Sequence, residues 1–509
     1  MILTRMHAAT AHSLRCAGEG AVNLVYKFLL TKKNYACYPE IMSVASSYNL
    51  IVIGAGIGGY TAAIRASQLG ARVLVVEKAE IGGTCLNRGC IPTKAFKATA
   101  DMLDNLQRLK EFGLSGDIKI HTDIKQIVRR KNTVVSELVK GVEFLFKSHG
   151  VTVKHGSATF LSKNKIRLTS GDGRQDILES NRFIIATGSA PGDLPGIKTD
   201  GRFVLTSDDI LNIDTLPKRL IIIGAGVIGT EFAFIFRSMS VDITLLELMP
   251  RALPSEDEDV SKLITRSFKK AGIKLKTEAI VTHVEVKDRQ VDVFLENGEV
   301  VSGDMVLVSI GRKINTADLG LEGIGIKLSK KKEIVVDEFL STGVDELYAC
   351  GDVIGGKMLA HAAYRESITA VENLLERKKQ TVNYNAVPSA IYSTPEAASV
   401  GLTEQSAVEK GLKIKIGRFP YRALGKAKAF SETDGEVKII ADVDTDRILG
   451  MHIVGSNATD IIAQGVMAIQ NELTAHALAG TIAAHPTYSE AVMEAAEDAL
   501  SIAIHQPRK

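Results

Sequence analysis

A pattern that occurs twice leaves this chain little freedom. The apolar run Leu50-Ile51-Val52-Ile53 leads into Gly54-Ala55-Gly56-Ile57-Gly58-Gly59, and Leu220-Ile221-Ile222-Ile223 leads into Gly224-Ala225-Gly226-Val227-Ile228-Gly229. Continuous apolar runs of this length are the signature of strands buried on both faces. After each turn comes a helix-like segment, Tyr60 to Leu69 and Thr230 to Met239. A second strand follows, Ala71 to Val76 and Val241 to Leu246, closed by Glu77 and Glu247. The spacing from Gly54 to Glu77 is 23 positions, as it is from Gly224 to Glu247. One G-x-G-x-x-G is matched by chance in glycine-rich loops. Two in register, each with strand, helix and acid in place, specify dinucleotide binding.

The spacing has a mechanism. Gly54 and Gly224 permit the tight turn, Gly56 and Gly226 let backbone N–H groups approach a pyrophosphate, and Gly59 and Gly229 let the helix pack close to the strand. Glu77 and Glu247 are expected to accept hydrogen bonds from a ribose hydroxyl; the competing reading is a solvated strand end. An acid at 247 repels a 2′-phosphate, which favours NAD over NADP. One copy departs from the other: Ser240 stands where the first unit has Gly70, so the second helix-to-strand turn lacks glycine's easy access to positive φ. Two dinucleotide sites suit a redox enzyme that passes electrons between a tightly held flavin, FAD, and a diffusing nicotinamide, NAD.

Two of only five cysteines, Cys85 and Cys90, lie just past the first unit in GGTCLNRGCIPTK. Five cysteines in 509 residues make no secreted disulfide framework and point to a reducing compartment. Pro92 suits the first turn of a helix, which puts Cys90 at or near a helix N-terminus. There the macrodipole and Lys94 both favour a thiolate. A metal site would need a second Cys or His pair nearby, and none is evident, so no metal is expected. Two inert core cysteines remain the alternative while the pair is viewed alone. The net charge of +3 is spread along the chain and there is no tryptophan, so neither a basic patch nor an aromatic platform for nucleic acid is expected. No apolar run approaches the ~18 residues of a membrane span.

GGTCLNRGCIPTK resembles the redox-active disulfide motif of the pyridine nucleotide–disulfide oxidoreductases. Within that family, the stretch from about Tyr48 to Ala503 is similar to the dihydrolipoamide dehydrogenases. Further motifs carry the resemblance in order: Ala186-Thr187-Gly188-Ser189, Tyr348-Ala349-Cys350-Gly351-Asp352-Val353, Met358-Leu359-Ala360-His361-Ala362, Ser393-Thr394-Pro395-Glu396 with Ser399-Val400-Gly401, and His485-Pro486-Thr487-Tyr488-Ser489-Glu490. The resemblance implies that Asp352 binds the ribityl and phosphate region of FAD and that Lys94 lies near the flavin ring. Read alone, Asp352 is as well a turn aspartate. Thr84, Gly188 and Gly311 are assigned to cofactor binding with them, and Glu231 to a second contact with the nicotinamide ribose. His361 receives no catalytic role. Arg88 departs from the small apolar residue expected between the cysteines; it favours thiolate further or simply reaches solvent.

Oxidising a dithiol requires a base, because a thiol with a pKa near ~8.5 is mostly protonated at neutral pH. His485 and Glu490 are five residues apart, a spacing that lets the carboxylate orient the imidazole. Alone, His485 reads as a surface or core histidine; inside HPTYSE it reads as the base. The family resemblance implies a homodimer in which His485 serves the partner subunit's site. The implied reaction is oxidation of dihydrolipoamide on a lipoyl domain of a 2-oxoacid dehydrogenase acyltransferase or a related lipoyl protein. Electrons pass through Cys85 and Cys90 to FAD and then to NAD⁺.

The expected fold class is α/β, with two Rossmann-like dinucleotide-binding domains and a C-terminal α+β dimerisation domain. Residues 46–193 are assigned to the FAD domain, 194–317 to the NAD domain, 318–385 to a segment completing the FAD site and 386–509 to the interface domain. In the last, Val437 to Ala441 and Ile448 to Val454 read as antiparallel strands, and Ala458 to Leu478 as mostly helix. Residues 1–45 hold Arg5, His7, His12 and Arg15 with no acid before Glu19. They read as an extension ahead of a true start at Met42, with a cytoplasmic protein, or as a mitochondrial transit peptide with a matrix location. The rivals are a glutathione-reductase-like enzyme, which would need basic residues where Glu247 stands, and a non-catalytic flavoprotein subunit with vestigial thiols. Mercuric and large thioredoxin reductases would need cysteines after Cys350, and there are none.

Overall fold

The computed structural model describes residues 48–116 and 120–507, so the reading of residues 1–45 lies outside the described residues. The two duplicated units form the hearts of two all-parallel sheets. In the first, Leu50–Ile53 lies between Val73–Glu77 and Phe183–Ile185; Thr152–His155 and Leu347–Ala349 flank them. In the second, Arg219–Ile223 lies between Asp242–Leu246 and Met305–Val308, flanked by Lys274–Lys276 and Val204–Leu205. Residues 50–53 and 220–223 are at most 5 % exposed, as strands covered on both faces must be. Each such Leu, Ile or Val contributes about 1.5–3 kcal/mol of burial. Both glycine turns sit at the C-terminal ends of their central strands, where open α/β sheets bind ligands.

The third sheet is antiparallel: Ser389–Ile391, Ala397–Gly401, Ile448–Val454, Glu436–Asp442 and Ile414–Pro420, in that spatial order. The expected pair of strands is present. The stretch 458–478, expected as mostly helix, is so, in three pieces: Ala458–Ile461, Ala463–Gln470 and Ala475–Ala479. The chain leaves the helical path after Gln470 because Glu472 turns left-handed at φ +52° and the next backbone groups pair elsewhere. The Ile448 N–H donates to the Leu473 carbonyl and the Ala475 N–H to the Asp446 carbonyl.

The helix Cys90–Gln107 is a strut between these parts. Its 18 residues span about 27 Å at 1.5 Å per residue. It runs beside the helix Val227–Ser238 of the second unit and is tied to it at both ends. Lys94 pairs with Glu231 at 2.9 Å, and Ser238 Oγ donates to Asp104 at 2.9 Å. Ser240 adopts φ +64°, the same left-handed region as Gly70 at φ +83°, so the second turn keeps the first turn's geometry without a glycine.

Candidate active site

The two glycine turns are built alike. Gly54 and Gly224 adopt φ +103° and +101°, and a Cβ on either would lie 2.3 Å from the Ala186 carbonyl oxygen or 2.6 Å from that of Ser309. A Cβ on Gly59 or Gly229 would lie within 2 Å of the preceding turn's carbonyl oxygen. The middle glycines differ: a Cβ on Gly226 would meet nothing within 4 Å, and one on Gly56 only Gly83 Cα at 3.8 Å. The protein itself does not require glycine there. The space beside them is open, and no side chain caps the helix that starts at Ile57 or at Val227. First-turn N–H groups are therefore open to an anion in both units, which fits a dinucleotide pyrophosphate.

Glu77 and Glu247 are not solvated strand ends. They are 8 % and 6 % exposed. Glu77 accepts from the Ala55 N–H at 2.6 Å and the Ala79 N–H at 2.7 Å; Glu247 accepts from the Ala225 N–H at 2.6 Å and the Met249 N–H at 2.9 Å. Each carboxylate ties its glycine turn to the end of the second strand and keeps lone pairs for a further donor.

Cys85 lies on the short helix Gly83–Asn87, and Cys90 is the first residue of its helix, after Gly89. Both are free thiols; Cys85 is partly buried and Cys90 exposed. A hydrogen bond between the two side chains polarises them. Donated by Cys85, it lowers the Cys90 pKa to about 7, with the Lys94 ammonium also lowering it against burial and the Glu231 carboxylate. The same hydrogen bond, with burial, pushes the Cys85 thiol up. Of the two, Cys90 is the sulfur favoured as thiolate and Cys85 the one favoured as thiol. Arg88 forms an ion pair with Glu80 rather than adding charge to the cysteines. Cys350 is fully buried, its thiol pushed up by burial. Among the described residues no group of three or more His, Cys, Asp or Glu could hold a metal ion, and no helix is long and apolar enough to cross a membrane.

The Lys94–Glu231 contact joins two residues that sequence reasoning assigned to separate cofactors. Lys94 donates to both Glu231 oxygens, at 3.0 and 2.9 Å, and its Nζ lies 4.1 Å from the centre of the Tyr392 ring. Glu231 also accepts from the Tyr392 N–H at 3.0 Å. A second cluster gathers around Asp352. Ser189 Oγ donates to its carboxylate, Arg312 Nε stands 3.6 Å away, and Arg312 also donates to Ser189 Oγ at 2.6 Å and to the Ser189 carbonyl at 2.9 Å. Thr84 Oγ1 reaches the Ser189 carbonyl at 3.5 Å, while Gly188 and Gly311 adopt φ +66° and +123° on either side. Ser189 was quoted only within its motif, and Arg312 and Glu366, which accepts from the Gly351 N–H at 2.7 Å, were given no role from sequence. Arg312 had a signal in its glycine neighbour; Glu366 had none. His361 donates from Nε2 to the Pro388 carbonyl at 2.7 Å and touches neither cluster.

At the other end of the chain, His485 Nδ1 lies 2.7 Å from Glu490 Oε1, and the Thr487 N–H donates to Glu490 Oε2 at 2.7 Å. The imidazole side chain is 77 % exposed, so Nε2 faces outward. No hydrogen bond or ion pair links His485 to Cys85 or Cys90 within the chain among the described residues.

Known proteins match this architecture over nearly its whole described length. The family model described as pyridine nucleotide-disulphide oxidoreductase covers residues 48–367, and that family's dimerisation domain covers 387–496. A dihydrolipoyl dehydrogenase of Bacillus subtilis is 41 % identical over 91 % of this chain and 100 % of its own length. One of Chlamydia pneumoniae is 38 % identical over 92 % and 100 %. Among solved structures, LpdA from Mycobacterium tuberculosis superposes with a TM-score of 0.84 at 29 % identity, covering 88 % of this chain and 99 % of that one. An HOCl-induced flavoprotein disulfide reductase from Escherichia coli does so at 0.79, also with 29 % identity, covering 88 % and 99 %. The third sheet and its helices are accordingly a dimerisation domain, and this chain belongs to the pyridine nucleotide–disulphide oxidoreductase family.

Proposed function

We propose that this chain is an FAD-dependent dihydrolipoyl dehydrogenase that oxidises protein-bound dihydrolipoamide to lipoamide and reduces NAD⁺ to NADH. The polarised pair of Cys85 and Cys90 carries this reading: a thiol and a thiolate five residues apart, beside two open glycine turns. FAD would be held at Gly54, Gly56, Gly59, Glu77, Thr84, Gly188, Gly311 and Asp352, with Lys94 near its ring, and NAD at Gly224, Gly226, Gly229, Glu231 and Glu247. Bound there, the two cofactors supply the transfer of an electron pair from the dithiol to a nicotinamide.

The chain's own residues do the sulfur and proton work. His485, oriented by Glu490, removes a proton from a substrate thiol. The new thiolate attacks Cys85 of the Cys85–Cys90 disulfide, a bond forms from substrate sulfur to Cys85, and Cys90 leaves as thiolate. The second substrate sulfur then closes on the first, releases lipoamide, and Cys85 departs and takes a proton. That end state, Cys85 as thiol and Cys90 as thiolate, is the one the hydrogen bond and Lys94 favour. In the family's homodimer, His485 serves the partner subunit's cysteines, which accounts for its outward-facing Nε2.

The macromolecular substrate is the lipoyl domain of a 2-oxoacid dehydrogenase acyltransferase or a related lipoyl protein. Sparse cysteines support a cytoplasmic location, or the mitochondrial matrix if residues 1–45 are a transit peptide. The four-part division at 193, 317 and 385 stands as our assignment of domains. The deciding assay compares NADH formation from dihydrolipoamide with NADPH oxidation by glutathione disulfide. Only the first should proceed, and Cys85→Ser should abolish it; turnover surviving that change would overturn the roles of the two cysteines.

A further inference from the structure

Between Ala479 and Glu490 only one residue is buried, Tyr488, three positions after His485. Residues 480–482 and 484–486 are exposed, Ile482 at 98 %. The imidazole itself makes one side-chain contact, to Glu490. Glu490 holds His485 and the Thr487 N–H from one side, and Tyr488 is the loop's one buried side chain. Its ring stacks on Tyr421 at 5.5 Å between centres and 16° between planes. Tyr421 is fully buried and donates its hydroxyl to the Ser456 carbonyl at 3.0 Å. Stacking alone would bury a phenylalanine equally well. The hydroxyl does something further: it donates to Glu432 Oε2.

Glu432 is itself held on a tied turn. Its N–H donates to the Ala427 carbonyl at 2.8 Å, and Ser431 before it takes φ +53°. Arg108, the residue that ends the helix beginning at Cys90, donates from Nη2 to the carbonyls of Phe430 and Ser431, at 2.8 and 3.0 Å. We propose that Tyr488 is a positioning residue for His485, anchored by its hydrogen bond to Glu432, with Arg108 fixing that anchor to the end of the Cys90 helix. This rests on the reading of His485 as the base of a dithiol oxidation. Charge-assisted hydrogen bonds of this type are the stronger ones, and a base displaced by about 1 Å loses up to about a hundredfold in rate.

The test uses the full-length, FAD-loaded enzyme and two reactions. Dihydrolipoamide with NAD⁺ needs the base; NADH with a quinone acceptor does not involve the dithiol substrate. Tyr488→Phe keeps the stacked ring and loses the hydroxyl. It should lower kcat for dihydrolipoamide about tenfold or more, and leave the quinone reaction within about twofold. Glu432→Ala should behave alike, and Glu432→Gln, which still accepts from the hydroxyl, should retain most of the activity. Undiminished dihydrolipoamide turnover in Tyr488→Phe would overturn the proposal. So would parallel loss of both reactions, or equal loss in Glu432→Gln and Glu432→Ala. A wild-type enzyme inactive with dihydrolipoamide but active with quinone would instead remove the functional reading on which the proposal stands.

Discussion

Replacing Cys85 by alanine should return the Cys90 thiol toward its ordinary value of 9.0, because the hydrogen bond donated by Cys85 is the largest influence lowering it to about 7. The sign follows from which form the bond favours. A donor to sulfur stabilises the thiolate, so the thiolate persists down to about pH 7 and is lost below it. With the bond intact, about half of Cys90 is ionised at pH 7. At the ordinary value about one molecule in a hundred would be, a loss of about 50-fold. In the alanine variant burial and the Glu231 carboxylate outweigh Lys94, so the thiol should titrate no lower than its ordinary value. Cys85→Ser keeps an O–H donor in place and should titrate nearer to wild type. The assay is a pH titration of the long-wavelength charge-transfer absorbance of a thiolate beside oxidised flavin, in FAD-loaded Cys85→Ala and Cys85→Ser. Buried Cys350 stays a thiol throughout the range. If the two variants titrate together, or the alanine variant titrates lower, the hydrogen bond is not what polarises the pair.

Three further outcomes are expected. Ser240→Gly should raise stability by about 1 kcal/mol in urea unfolding, because a non-glycine residue at φ +64° carries a cost that glycine does not; a fall in stability would contradict this. Lys94→Met leaves the Glu231 carboxylate, 5 % exposed, without its cation and should cost about 2 kcal/mol. Lys94→Met with Glu231→Gln should recover part of that, and a double variant less stable than the single would refute the pairing argument. Glu247→Gln sets an amide group against one of the two N–H donors and should raise the KM for NAD⁺ about tenfold in steady-state assays; an unchanged KM would show that the turn does not depend on Glu247.

What could be read from the sequence was local. The two strand–turn–helix units follow from apolar runs, glycine spacing and a terminal acid, each within 28 residues, and the helix at Cys90 from Pro92. The Lys94–Glu231 bridge joins residues 137 positions apart, and no pattern in a single chain connects them. Arg312 with Asp352 and Arg108 with the 430–431 carbonyls escaped for the same reason. The stretch 458–478 is mostly helix as expected, but its breaks were not legible, for a different reason. The carbonyls of Asp446 and Leu473 and a left-handed Glu472 draw the backbone off the helical path after Gln470, a tertiary pairing that local propensity does not carry. Ser240 shows the converse: the glycine is absent from the sequence, and packing imposes glycine's geometry regardless.

The most direct measurement is an anaerobic titration of the FAD-loaded protein with dihydrolipoamide, followed by NAD⁺. The account predicts that one equivalent of dithiol per subunit raises the long-wavelength thiolate band, that NAD⁺ then removes it with one NADH formed, and that Cys90→Ser shows no such band. A full band and full NADH yield in Cys90→Ser, or no spectral response in the wild type, would contradict it.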